Sequence, residues 1–199
     1  VLATVTLLIS CKKPSETSKV VVIGMGLGDA YIKQEILAML DGRMGVIDAD
    51  MFYWQPLVDL LNNGAQLVLT PHPKEFANLL NMLGQHTDTQ GVQKKRFVLA
   101  REFSEKFPNA VLVLKGANTL IAHKGKVHIN PFGTSILSKG GSGDVLAGII
   151  GALLAQGYEP LDASISANLA IGFASRAYKG NNYSLCPQDL IEELARLQV

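Results

Sequence analysis

An α/β fold is predicted, with a mostly parallel central sheet, helices on both faces and a β-hairpin ahead of a glycine-rich anion loop. Three features of the sequence predict it. Short apolar runs such as Val20–Ile23 and Ala110–Lys115 carry few polar alternations, as strands covered on both faces do. These runs alternate with segments of helical spacing, the pattern of βαβ crossovers. Ser138-Lys-Gly-Gly-Ser-Gly-Asp144 then opens a nearly all-apolar helix reaching about Gln156.

Taken in order, Val1–Ser10 is an apolar lead and Lys12–Ser18 a polar loop before the strand Val20–Ile23. The turn Gly24-Met-Gly-Leu-Gly28 leads to a helical pattern through Tyr31, Ile32, Ile36, Leu37 and Leu40. Gly45–Asp48 is a short strand ending in Asp48-Ala-Asp50, followed by a helix around Pro56–Asn62 and the strand Gln66–Thr70. Pro71-His-Pro-Lys-Glu75 opens a helix ending near Leu83; Gly84–Gly91 is a loop and Val92–Phe107 a helix. After the strand Ala110–Lys115, Thr119–Ala122 and Lys126–Ile129 flank His123-Lys-Gly125 as a hairpin. Three helices end the chain, at about 143–156, 161–179 and 187–197, and the whole of 1–199 reads as one domain.

Composition narrows the function classes. Of 199 residues, 48% are hydrophobic and 18% charged, the balance of a well-buried globule. Eighteen basic residues against seventeen acidic ones leave +1, with no basic run or aromatic stripe, so nucleic acid is not an expected partner. Val1–Ser10 lacks a basic leader, and about ten residues do not cross a bilayer, so no membrane partner is expected either. Cys11 and Cys186 match no metal or redox spacing, which suits a reducing cytoplasm.

The candidate site begins at the glycine loop. Gly140, Gly141 and Gly143 leave almost no side chains, so backbone N–H groups can converge on a ligand. The following helix N-terminus adds free N–H donors and partial positive charge, and the two together form an anion site suited to phosphate. Asp144, in the first helical turn, would repel a phosphate unless it takes a proton from an attacking hydroxyl. The plainer alternative is that Ser142 and Asp144 only cap a buried helix. Gly24-x-Gly-x-Gly28 invites a dinucleotide fingerprint, but Asp29 stands where its third glycine belongs. Asp48 and Asp50 either reach a Mg²⁺ ion through water or a substrate hydroxyl, or cap the next helix. Two prolines hold His72 on a rigid connection, with Glu75 in the first turn beyond it, as at a substrate site or in a stiff turn. Lys115 ends a strand beside Gly116 and can meet a phosphate as a point charge, while Asn130 and Gly133 enter the glycine loop. His86, His123 and His128 read as surface or hairpin residues.

Taken together these segments resemble the NAD(P)H-hydrate dehydratase family within the ribokinase-like three-layer fold. The segments are Gly24–Gly28, Val46-Ile-Asp-Ala-Asp50, Leu69-Thr-Pro-His-Pro-Lys-Glu75, Leu114-Lys-Gly-Ala-Asn-Thr119 and Leu137–Gly148 through Ala155-Gln-Gly157. The resemblance implies repair of hydrated NADH or NADPH (NADHX, NADPHX) by dehydration driven by ADP or ATP. It implies that the nucleotide phosphorylates the ring hydroxyl and that phosphate then leaves. It implies Asp144 as the base; Gly26, Gly28, His72, Glu75, Asn130 and Asp144 against the hydrated dinucleotide; and Lys115, Gly116, Ala117, Asn118, Thr119, Gly140, Gly141, Ser142 and Gly143 around the nucleotide. Mg²⁺ is expected to arrive with the nucleotide, with no dedicated protein metal site. Family habit suggests a homo-oligomer, and the two unpatterned cysteines a cytoplasmic one.

Several departures from the family pattern are visible. Met25 stands for a proline, bulky Met51-Phe-Tyr-Trp54 stands where small residues and an Asn are usual, so that wall of the pocket is expected to differ, and Ile171-Gly172 replaces a His-Gly pair. A Gly-x-x-x-x-x-Gly-Ala-like substrate loop is not found before Val20, so the domain reads as N-terminally short. Two other readings compete: a ribokinase-like small-molecule kinase, and a catalytically idle nucleotide-binding module.

Overall fold

The computed structural model describes residues 5–7, 17–28, 33–181 and 183–197. Most of the apolar lead and of the Lys12–Ser18 loop, with Cys11, Asp29, Tyr31 and Ile32, lies outside them. Among the described residues seven strands form one sheet in sequence order. They are β1 (Val5–Leu7), β2 (Val20–Ile23), β3 (Met44–Ile47), β4 (Leu67–Leu69), β5 (Ala110–Leu114), β6 (Thr119–His123) and β7 (Lys126–Asn130). The first five are mutually parallel; β6 runs antiparallel to β5 and makes the expected hairpin with β7.

The helices are α1 (Lys33–Leu40), α2 (Pro56–Asn62), α3 (Pro73–Met82), α4 (Thr89–Lys106), α5 (Ser142–Ala155), α6 (Pro160–Ala177) and α7 (Pro187–Ala195). Successive crossovers of one hand between strands in sequential order must lie on one face of the sheet. Accordingly α1 to α4 share one face, and α5 to α7 cover the other. Strand periodicity divides the core the same way. Val21, Ile23, Ile47, Leu69, Leu112 and Leu114 pack with Leu57, Phe76 and Phe103 of the first layer. Val20, Val22, Val46, Val68, Val111 and Val113 pack with Leu146, Ile150, Ala167 and Leu190 of the second. Every described residue of β2, β4 and β5 is buried, which explains why their sequences are apolar without alternation. No helix among the described residues is long and apolar enough to cross a membrane.

Register places the functional edge. Ile23, Ile47 and Leu69 stand side by side, and Leu69 faces Leu112. The residues that follow, Gly24, Asp48, Thr70 to His72 and Lys115, therefore emerge together at the carboxyl edge, where open α/β sheets bind ligands. The approach is close: a Cβ on Gly24, whose φ is +130°, would lie 1.7 Å from the Asp48 carbonyl oxygen. Only glycine fits there.

Beyond β3 the chain makes a 3-10 turn over Ala49–Tyr53 that the sequence reading did not anticipate. It also corrects the expected wall. Met51, Phe52 and Trp54 turn into the core, each at most 2% exposed, and Tyr53 alone of the four stands outward.

Candidate active site

Asp48 leaves β3 into the interior at 1% exposure. It makes no side-chain cap bond to the turn it precedes; its Oδ1 accepts instead from Lys115 Nζ at 2.8 Å. The same ammonium lies 3.9 Å from Glu75 Oε2. A cation between two buried carboxylates offsets the cost of burying them. The open choice for Asp48 thus closes on an ion pair. Asp50 is committed as well, its Oδ2 accepting the Gly28 N–H at 2.9 Å and tying the Gly24–Gly28 turn to the sheet edge.

The rigid His72 connection is an N-cap. His72 Nδ1 accepts the Lys74 and Glu75 N–H groups, each at 3.2 Å, and Glu75 Oε2 accepts the His72 N–H at 2.7 Å, closing a capping box. Accepting at Nδ1 leaves the proton on Nε2, which stands 3.2 Å from Glu75 Oε1. Burial and the nearby Lys115 ammonium lower the His72 pKa, so the ring is neutral. Burial pushes the Glu75 carboxyl up to about 6 against the opposing pull of Lys115.

That shift sets a stability prediction. An acid whose native pKa exceeds its unfolded value holds its proton better when folded, so stability falls as pH rises between the two values. From the ordinary 4.5 to about 6, the loss by pH 7 is about 2 kcal/mol. Glu75→Gln, which does not titrate, is expected to gain on the wild type by that amount between pH 4.5 and 7 in denaturant titrations. A difference independent of pH would contradict the burial argument.

Helix α5 starts at Ser142 after Gly141, whose φ of +87° is left-handed and whose Cβ, if present, would lie 2.4 Å from Pro187 Cγ at the head of α7. Ser142 Oγ donates within the loop, to the Leu137 and Lys139 carbonyls, as a structural lock. Gly143 falls in the first helical turn, and a Cβ there would sit 3.2 Å from Lys115 Nζ and 3.5 Å from Asp48 Oδ2. The N-terminus of α5 therefore stands against the Asp48–Lys115 pair. Asp144, one residue on, is exposed; partial burial and the Asp48 charge raise its pKa, opposed by Lys115.

The Lys115–Thr119 loop is stitched to both neighbours. Lys115 N–H donates to the Pro71 carbonyl at 2.9 Å, and a Cβ on Gly133 would meet the Ala117 carbonyl oxygen at 2.5 Å. Thr119 Oγ1 donates to the Gly116 carbonyl at 3.4 Å. Asn130 is structural in this structure. Its Nδ2 donates to the Asn168 carbonyl and its Oδ1 accepts the Phe132 N–H, anchoring the strand end to α6. Gly26 is exposed on its turn and Gly140 has open space around it. His86 and His128 are exposed, and His123 Nε2 lies 3.1 Å from the Pro108 carbonyl in the hairpin.

Two residues at the site were missed from sequence. Tyr53 projects beside Asp50 and Glu75, whose charges, after burial, raise its phenol pKa. Nothing in a run of four large apolar residues marks which one faces out. Arg96 reaches the nucleotide-loop candidate from α4, where its sequence context is that of a solvated helix face.

Residues 5–196 match the family model Carb_kinase, NAD(P)H-hydrate dehydratase. The chain belongs to the NAD(P)H-hydrate dehydratase family. This dehydratase-family chain is 44% identical over 190 residues to the bifunctional NAD(P)H-hydrate repair enzyme Nnr of Helicobacter pylori, covering 96% of this chain and 40% of that protein. It is 34% identical to the ADP-dependent (S)-NAD(P)H-hydrate dehydratase of Neisseria meningitidis, covering 79% of this chain and 54% of that one. The fold superposes with a TM-score of 0.72 and 26% identity on the Bacillus subtilis ADP/ATP-dependent NAD(P)H-hydrate dehydratase co-crystallised with ATP/Mg²⁺, covering 92% of this chain and 65% of that one. The chain spans less than two thirds of the length of each.

Proposed function

We propose that the chain dehydrates hydrated NADH or NADPH in a reaction driven by ADP or ATP, as a cytoplasmic homo-oligomer of its family. The observation that carries this reading is the meeting of Lys115, Asp48 and the first turn of α5 around Gly143, beside the exposed Asp144. In this reading Asp144 takes the proton of the ring hydroxyl, whose oxygen then bonds to the terminal phosphorus of the nucleotide. The bridging P–O bond breaks and the shortened nucleotide leaves. The ring C–O bond breaks next, phosphate departs with its electron pair, and loss of a proton from the neighbouring carbon restores the double bond. An Asp144 pKa raised by burial and Asp48 makes a better base than an ordinary aspartate.

Backbone supplies the charge stabilisation. By helix geometry the N–H groups of Gly143 and Asp144 have no partner four residues back, and they face the transferring phosphoryl group with the positive end of α5 behind them. Gly140, Gly141 and Ser142 shape that cradle, and Lys115 with Gly116–Thr119 holds the nucleotide. Gly26, Gly28, His72 and Glu75 border the hydrated dinucleotide, with Asn130 acting through the loop it anchors.

Among the described residues no three His, Cys, Asp or Glu side chains converge to hold a metal ion, and Asp48 is paired with Lys115. With Asp48 committed to Lys115, these residues fit a Mg²⁺ ion carried in on the nucleotide phosphates. Bound there, it would neutralise phosphate charge. The reading is tested with labelled ATP: free phosphate is expected only when hydrated cofactor is present. A stable phosphorylated product from another small molecule would identify a kinase instead.

A further inference from the structure

Arg96, on α4, is half-buried, and its guanidinium meets backbone carbonyls rather than a carboxylate among the described residues. Helix α4 loses helical geometry at Lys95 (φ −119°, ψ 19°), the residue before it. From there the Arg96 guanidinium enters the β5–β6 loop, and its Nη2 donates to the Asn118 carbonyl at 3.0 Å, with longer contacts to the Leu114 and Lys115 carbonyls at 3.3 and 3.4 Å. Its Nε is buried without a hydrogen-bond partner among the described residues. The approach is close: a Cβ on Gly116 would lie 2.7 Å from Nη2.

A trans peptide points its C=O and N–H in opposite directions. Drawing the Lys115 carbonyl toward Arg96 therefore turns the Gly116 N–H away from it. The Gly116 carbonyl is held separately by Thr119 Oγ1. No hydrogen bond of the Gly116, Ala117 or Asn118 N–H groups is found among the described residues. Free successive N–H groups make an anion-binding concavity. A cation bound to the carbonyl side of the same peptides strengthens the donor side.

We propose that Arg96 is a positioning residue for the nucleotide: it holds the carbonyls of the Lys115–Asn118 loop so that the loop's N–H groups face a phosphate. The proposal rests on the assignment of that loop to the nucleotide. Arg96 touches no ligand itself, and its effect passes through the loop.

The test is calorimetric titration of ADP and of ATP with Mg²⁺ into the wild-type chain, Arg96→Lys and Arg96→Met, with thermal melts of each. Losing the charge-assisted bonds in Arg96→Met is expected to raise the nucleotide Kd about tenfold or more. Arg96→Lys keeps the charge and the apolar stem, guards against a variant that does not fold, and is expected to recover part of the affinity. The KM for the hydrated dinucleotide is expected to stay within about twofold, a split that general loosening of the fold would not give. Nucleotide Kd values within twofold of wild type in both variants, whatever their melting temperatures, would overturn the role of Arg96. Wild-type chain that binds no nucleotide would overturn the loop assignment and this proposal with it.

Discussion

Asp144→Asn is expected to lower turnover by about a thousandfold while leaving the Kd for ADP or ATP within about threefold. A positioned base contributes a factor of this order, and the amide cannot accept the proton. Binding survives because the cradle is backbone: Gly141 is the cap of α5, and the Gly143 and Asp144 N–H groups remain whatever side chain stands at 144. The side chain is exposed, and among the described residues it makes no ion pair, so its replacement breaks no buried network there. Turnover against hydrated NADH and calorimetry on the same preparation separate the two effects. Equal loss of rate and affinity would move Asp144 from base to ligand contact.

Lys115→Met is expected to have the largest effect on the fold. It leaves the Asp48 carboxylate, 1% exposed, without its partner at 2.8 Å, and removes the cation that faces Glu75. Stranding a buried charge costs about 3–5 kcal/mol, which for a chain of this size lowers the melting temperature by roughly 10 °C. The double variant Asp48→Asn with Lys115→Met removes both charges and is expected to regain most of that stability, though not nucleotide affinity. Additive losses in the double variant would show that the pair is not coupled.

The parts of the molecule legible in sequence are those fixed by local rules. β2 and β5 are apolar at every position because both faces are covered, and α2, over Pro56–Asn62, opens on a proline with no buried polar residue to explain. The first-turn positions of Glu75 and Asp144 follow from helix starts that glycine and proline mark. What sequence did not carry is pairing at long separation. Lys115 and Asp48 are 67 residues apart, and nothing local to either names the other. Arg96 lies 22 residues from Asn118 on a helix whose polar face hides it. The 3-10 turn after Asp48 was missed for a related reason: Met51, Phe52 and Trp54 fit an apolar run of any conformation, and only tertiary packing decides that Tyr53 is the one excluded. Asn130 showed the converse, a polar residue at the site edge whose amide is occupied by Asn168 and Phe132.

We propose that this chain restores hydrated nicotinamide cofactor at the expense of an adenine nucleotide. This is tested most directly by following reduced-nicotinamide absorbance when the chain meets hydrated NADH with Mg²⁺ and either ADP or ATP. Absorbance is expected to recover with at least one nucleotide, not without nucleotide, and not with Asp144→Asn. Absence of recovery with either nucleotide, from protein shown by calorimetry to bind it, would contradict the dehydratase reading and leave a nucleotide-binding module with another substrate or none.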